Sequence, residues 1–392
     1  VRPSPFGHEP SIEGAVLPLE VALRTAILLP PGCLFSETQP NSMETVVRTM
    51  AGVGQGGETR IFCCQGADDG VSAGVDALPG GRIRMPTLIE RLRAFRPDVI
   101  EHHQQVKQAL AVQQALPDKP HLLYRHNALR PPRHPIDRWR YRARYERLDG
   151  LIFVSLAERD AFVRTFPDLD DRAFAVPNPI DAGAWLASTE DREPVIAFAG
   201  RAMPEKGLDV LCAALPGVLD AHPDWRAVLM LNDWHDHARW ATGHVAPLER
   251  YGDRVEVLKS APLGVVRRRM QTAAIALTPS VWDEPFGLTA VEAHAAGAAL
   301  ISSGRGGLRE ASGDHALYVD AVTPATLRSA MDRLIRNPEE RVALARAGQG
   351  YVMDVHTPQR RAAELEQVRQ VVRDRRRSTT EHKARKSVTS PR

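Results

Sequence analysis

Glu284-Pro285-Phe286-Gly287-Leu288-Thr289-Ala290-Val291-Glu292-Ala293 follows an apolar run, Ala274-Ile275-Ala276-Leu277-Thr278, that ends at Pro279-Ser280. The run has the character of a buried strand, and Thr289 to Ala296 is helix-forming and stops at Gly297, so the stretch predicts strand, loop and helix. Pro285 holds Glu284 extended at the strand exit, and Gly287 lets the backbone turn close to a ligand. Glu292 is expected in the first helical turn, where free amides and the helix dipole suit a phosphate. Two carboxylates, which only accept hydrogen bonds, suit sugar hydroxyls. Together these groups predict a grip on a nucleoside diphosphate sugar.

A second strand-loop-helix unit lies upstream. Val195-Ile196-Ala197-Phe198-Ala199-Gly200 is followed by Arg201-Ala202-Met203-Pro204-Glu205-Lys206-Gly207 and an amphipathic segment from about Leu208 to Leu219. Arg201 offers a planar fork of donors and Lys206 a flexible point charge, each suited to part of a diphosphate.

The two units resemble the paired-glutamate and diphosphate-clamp motifs of the retaining glycosyltransferases of family 4. The resemblance covers about residues 23–372, and it implies a GT-B fold, two Rossmann-like doubly wound domains facing a cleft, with a C-terminal helix crossing back to the first domain. It identifies Glu284, Arg201, Lys206 and His126 as catalytic candidates. Gly200, Arg201, Lys206, Glu284, Phe286, Gly287, Leu288, Thr289 and Glu292 become candidates for binding the nucleotide sugar, with Glu284 on the donor sugar and Glu292 on the ribose. Gly306-Gly307-Leu308-Arg309-Glu310 resembles the family's glycine pair followed by glutamate, and Val176-Pro177-Asn178-Pro179-Ile180-Asp181 its interdomain segment, with Pro179 replacing a glycine. Where many members carry two glycines before the first helix, this chain has Asn41-Ser42-Met43-Glu44, which makes Asn41, Ser42 and Glu44 the acceptor-side candidates. The implied reaction retains anomeric configuration and uses neither metal nor cofactor, and its acceptor is a growing cell-surface polysaccharide or lipid-linked glycan. A nucleotide-sugar epimerase or hydrolase on the same scaffold, or a non-catalytic binding subunit, are the alternatives.

Composition is compatible with this. The chain of 392 residues, 43% hydrophobic, is long enough for two or three domains, and no apolar run approaches the length of a membrane span. A net charge of +3 gives no reason to expect a nucleic-acid partner. Cys33, Cys63, Cys64 and Cys212 form no CxxC pair and read as reduced buried thiols of a cytoplasmic protein. Trp234-His235-Asp236-His237 reads as a solvated loop without a matching second ligand pair.

Alternating strand and helix patterns divide the chain into an N-terminal extension (1–22), an acceptor domain (23–180), a nucleotide-sugar domain (194–354), a crossover helix (355–377) and a disordered basic tail (378–392). Residues 1–22 do not read as a signal peptide. Arg125 to Arg147 is rich in arginine, and from Arg138 to Arg147 it is interleaved with Trp139, Tyr141 and Tyr145. A solvated helix fits this pattern, and so does a contact with an anionic membrane surface, which would place the protein at the inner face of the cell membrane.

Overall fold

The computed structural model describes residues 22–33, 35, 41–53, 57–64 and 74–388. The extension expected over 1–22 lies almost wholly outside them, and so does the end of the basic tail. Thirteen strands are defined within the described residues. In the first half they are β1 (Thr25–Leu28), β2 (Thr59–Cys64), β3 (Val75–Leu78), β4 (Val99–His103), β5 (His121–Arg125), β6 (Gly150–Phe153) and β7 (Ala173–Ala175). The second half contributes β8 (Glu193–Arg201), β9 (Arg226–Asn232), β10 (Val255–Lys259), β11 (Ala273–Thr278), β12 (Ala299–Ser302) and β13 (Leu317–Tyr318).

The strands build two separate parallel sheets, in the order β3-β2-β1-β4-β5-β6-β7 and β10-β9-β8-β11-β12-β13. Each order reverses once, between β1 and β4 and between β8 and β11. Helices cover both faces, so central strands carry apolar residues on both sides, and all six residues of β11 are buried. The sheet order matters for function, because ligands of open parallel sheets bind beyond the carboxyl ends of the strands at the reversal. Here that point lies between Arg201, at the end of β8, and Thr278, at the end of β11.

Three expectations about helices are corrected. The crossover helix runs Pro358–Val388, not 355–377, and a separate helix, Pro338–Val355, precedes it. Pro358 has no amide to continue the earlier helix, so it starts a new one. The later end follows from the tail composition: residues 378–388 contain no glycine or proline to stop the helix. Trp234 opens a helix, Trp234–Val245, instead of lying in a loop; Asp233 before it adopts left-handed backbone.

Ala362, Leu365, Val368 and Val372 bury the apolar stripe of the crossover helix, and the last three join a core that contains Leu122 and Ile152 of the first sheet. Arg376 adds an ion pair to Asp149 at 3.1 Å. The first sheet is thus covered on one side by a helix that follows the second domain in sequence.

Candidate functional site

A cleft of about 430 Å³ opens at the β8/β11 reversal and is walled on its other side by the first domain. Arg201, Lys206, Glu284, Phe286, Gly287, Leu288 and Thr289 line it from the second domain, and Asn41, Ser42 and His126 from the first. Gly200, Glu44 and Glu292 are not part of the lining. The fold therefore brings together most of the residues read from the sequence.

Glu284 is almost fully buried, and its Oε1 accepts from Lys206 Nζ at 2.6 Å and from Ser280 Oγ at 2.5 Å. Lys206 also lies 5.9 Å from the centre of the Trp282 ring. Arg201 is exposed on the same wall and has no ion pair among the described residues. The helix Leu288–Ala295 starts at Gly287, which has φ 111° and supplies no capping side chain. The amides of Leu288 and Thr289 consequently have no partner among the described residues and open on the cleft, a suitable seat for an anion.

The glycine pair at 306–307 has a packing role. Gly306 forms a parallel bridge with Glu284, and the Gly307 amide donates to the Glu284 carbonyl at 2.7 Å. A Cβ at Gly306 would sit 2.4 Å from that carbonyl oxygen. Only a bare backbone can approach so closely, and it holds the glutamate loop in place.

Two glutamates lie elsewhere than expected. Because the helix begins at Leu288, Glu292 falls beyond its first turn. It is half-buried outside the cleft, where burial pushes its carboxyl up to about 7 against the pull of Arg267. Glu44 is buried and spent on a capping box: Asn41 Oδ1 accepts from its amide at 2.9 Å, and its carboxylate accepts from the Asn41 backbone amide at 3.4 Å and also from Asn41 Nδ2 at 2.9 Å. Asn41 and Ser42 therefore line the cleft without it.

Sequence reading missed several lining groups. Gln104, with left-handed backbone at φ 63°, uses its Oε1 to accept from the His126 amide at 2.9 Å. Asn178 Oδ1, Thr278 Oγ1 and Trp282 Nε1 are buried around the cleft without hydrogen-bond partners among the described residues. Orphaned polar atoms cost roughly 1 to 3 kcal/mol each, and a polar ligand in the cleft would supply these three with partners. Asn178 stood inside the interdomain segment read from the sequence; Thr278 closes a predicted strand, and no local pattern marks either as orphaned.

The four cysteines are free, and burial pushes the Cys33 and Cys212 thiols up to about 12. Among the described residues no three His, Cys, Asp or Glu side chains cluster as metal ligands, and no helix is long and apolar enough to cross a membrane.

The profile of the family described as Glycosyl transferases group 1 matches residues 187–351, and that of Glycosyltransferase Family 4 matches 53–183. A D-inositol 3-phosphate glycosyltransferase of Segniliparus rotundus is 33% identical over 40% of this chain and 35% of its own length. A phosphatidyl-myo-inositol mannosyltransferase of Mycobacterium tuberculosis is 29% identical over 54% of this chain and 57% of its own. The chain thus matches about a third of the first relative and somewhat over half of the second. The structure of Anabaena HepE in complex with UDP-glucose superposes with a TM-score of 0.70 at 15% identity, over 90% of this chain and 99% of the other. The shared architecture is GT-B.

Proposed function

Since the chain belongs to the family-4 glycosyltransferases, we propose that it transfers a sugar from a nucleoside diphosphate sugar to an acceptor hydroxyl, with retention of anomeric configuration and without a metal ion. The observation that carries this reading is the cleft at the β8/β11 reversal, where Arg201, the Lys206–Glu284 pair and two open helix amides converge. The amides and both cations neutralise the diphosphate as the anomeric C–O bond to it breaks and its electron pair departs with the phosphate. The acceptor oxygen forms the new bond, and its proton passes to the departing phosphate oxygen. Glu284, relieved of part of its pairing when Lys206 meets the phosphate, accepts from a donor-sugar hydroxyl, and His126 faces the same sugar from the first domain. Closure of the two domains excludes the water that would otherwise hydrolyse the donor.

UDP-glucose in the Anabaena protein supports a nucleotide-sugar donor. The likeness to a phosphatidyl-myo-inositol mannosyltransferase supports an acceptor that is lipid-linked or part of a cell-envelope glycan, met at a membrane surface. The direct test is thermal stabilisation by a panel of UDP-, GDP- and ADP-sugars. A donor present at about 100 times its dissociation constant adds roughly 2.7 kcal/mol of stability. Failure of every nucleotide sugar to raise the Tm would overturn the proposal.

A further inference from the structure

The two walls of the cleft differ in charge. Arg201, Lys206 and Glu284 come from the second domain. The first domain contributes Asn41, Ser42, Met43, Gln104, His126 and Asn127, and the interdomain segment adds Asn178, so no lysine, arginine, aspartate or glutamate among the described residues lines that side. Burial, with His103 beside it, holds the His126 ring well below the ordinary histidine range, and it too is neutral. Residues 34, 36–40, 54–56 and 65–73 contain neither lysine nor arginine, and their charged side chains, Glu37, Asp68 and Asp69, are acidic. The Glu44 carboxylate, bound to the Asn41 amide, places a negative charge at the start of the helix Ser42–Ala51 and offsets the positive end of its dipole. Anions are ordinarily held by arginine, lysine or an open helix end, and this wall offers none of these to balance one.

Gln104 gives the wall a fixed donor. It follows β4 directly, beside the point where the first sheet reverses between β1 and β4, which is where open parallel sheets take their ligands. Its backbone is left-handed at φ 63°, a conformation that costs a non-glycine residue energy and persists only where the surroundings impose it. The Gln104 amide donates to the Tyr124 carbonyl at 2.8 Å, and Oε1 accepts from the His126 amide at 2.9 Å and the Asn127 amide at 3.3 Å. Two backbone donors settle which end of the side-chain amide is oxygen. The other end, Nε2, carries two hydrogens, has no partner among the described residues and is not sealed from solvent. A neutral N–H of this kind matches a hydroxyl oxygen. Asn127 and Ser42 are exposed on the same wall, and each can both donate and accept, as sugar hydroxyls require.

We propose that the acceptor meets this wall as an uncharged polyol, the terminal sugar of a glycan, with Gln104 as the specificity-determining residue, and that a phosphate-bearing group is not held there. That this ligand is the acceptor rests on the function proposed above; the preference of the wall for a neutral, hydroxyl-rich ligand does not.

The side-chain NH₂ signals of Gln104 in a nitrogen-15 spectrum, assigned through their proximity to the His126 and Asn127 amides, report on it directly. The protein is saturated with whichever UDP-, GDP- or ADP-sugar stabilises it, which fills the donor side, and titrated with the methyl glycosides of glucose, mannose and galactose and with the corresponding sugar phosphates. At least one glycoside should move the Gln104 signals, and its phosphate should bind no more tightly. Gln104→Glu keeps an oxygen for both backbone amides and replaces the NH₂ by an acceptor. It should hold nucleotide-sugar affinity within about twofold and lose about tenfold on the glycoside, the loss of one hydrogen bond. A sugar phosphate that moves the signals and binds about tenfold more tightly than its glycoside overturns the proposal, as do signals that no glycoside moves, whether or not the variant folds. An equal loss on nucleotide sugar and glycoside would reduce Gln104 to a structural prop and overturn it as well. If no nucleotide sugar binds while a glycoside still moves the Gln104 signals, the glycosyl-donor reading fails and the neutral wall stands.

Discussion

Lys206 is held in the free protein by Glu284, so a diphosphate entering the cleft must share an ammonium that already has a buried partner. Lys206→Ala removes a phosphate contact and also leaves Glu284 with Ser280 alone, whereas Arg201→Ala removes an exposed fork that has no partner among the described residues. Each variant should weaken nucleoside diphosphate binding by about 1.5 to 3 kcal/mol, the contribution of a charge-assisted contact. Only Lys206→Ala should also lower the Tm of the free protein, because it unpairs a buried charge. Unchanged diphosphate affinity in both variants, measured calorimetrically, would contradict these roles. The same pair of cations is proposed to stand in for a divalent ion, so turnover should survive excess chelator; a complete loss restored by added metal would count against that reading. Glu292 behaves differently, since its carboxyl is raised from 4.5 to about 7 by burial. Between those values the folded protein binds more protons than the unfolded chain, and stability falls as pH rises. The Tm of the wild type should therefore drop relative to Glu292→Gln across that window, and a pH-independent difference between the two would refute the assignment.

At the scale of single elements, the arginine-rich helix Pro135–Tyr145 separates into a paired and an open side. Arg142 is tied to Asp168 at 2.6 Å and Tyr145 is buried against Phe162 and Phe166, while Arg147, just past the helix, donates to Gln113 at 2.7 Å. Ile136 and Trp139 are 64% and 66% exposed, and with Arg140 they share one face of the helix at i, i+3 and i+4. An exposed isoleucine and tryptophan beside arginine suit the headgroup level of a bilayer, where each arginine contributes about 1 kcal/mol. Trp139→Ser with Arg140→Gln should weaken binding to vesicles containing anionic lipid and raise the KM for a lipid-linked acceptor, leaving donor affinity alone. Equal vesicle binding by both proteins at low salt would make this a solvated helix. The arginine-rich run from Arg138 to Arg147 was compatible with a helix in the sequence, and the helix found spans Pro135–Tyr145. That Arg142 is paired was not legible there, because Asp168 belongs to another element.

For the molecule as a whole, Glu310 joins the two domains. Its Oε2 accepts from the Leu156 amide at 2.7 Å, at the start of the first-domain helix Leu156–Thr165, across 154 positions of sequence. Burial raises its carboxyl to about 7, with the Leu156 and Ala157 amides pulling the other way. Glu310→Ala should loosen the closed arrangement, increasing the radius of gyration of the free protein in X-ray scattering and lowering turnover about tenfold, as expected for one lost hydrogen bond to a charged group. Diphosphate affinity should hold, since the clamp lies wholly in the second domain; identical scattering from both proteins would exclude this role. The sequence by itself determined the strand-loop-helix units and the two parallel sheets, and it marked Arg201, Lys206 and Glu284, which the fold brings to one cleft. Those features depend on local periodicity, turn residues and short spacings, which a chain displays in linear order. Tertiary structure alone decided that Glu292 is absent from the cleft lining and that Gly306 packs on the Glu284 loop. It also decided that Glu101 meets Arg369 across 268 positions. A hydrogen-bond partner at that separation is selected by packing of the crossover helix on the first sheet, and the residues themselves carry no local mark of it.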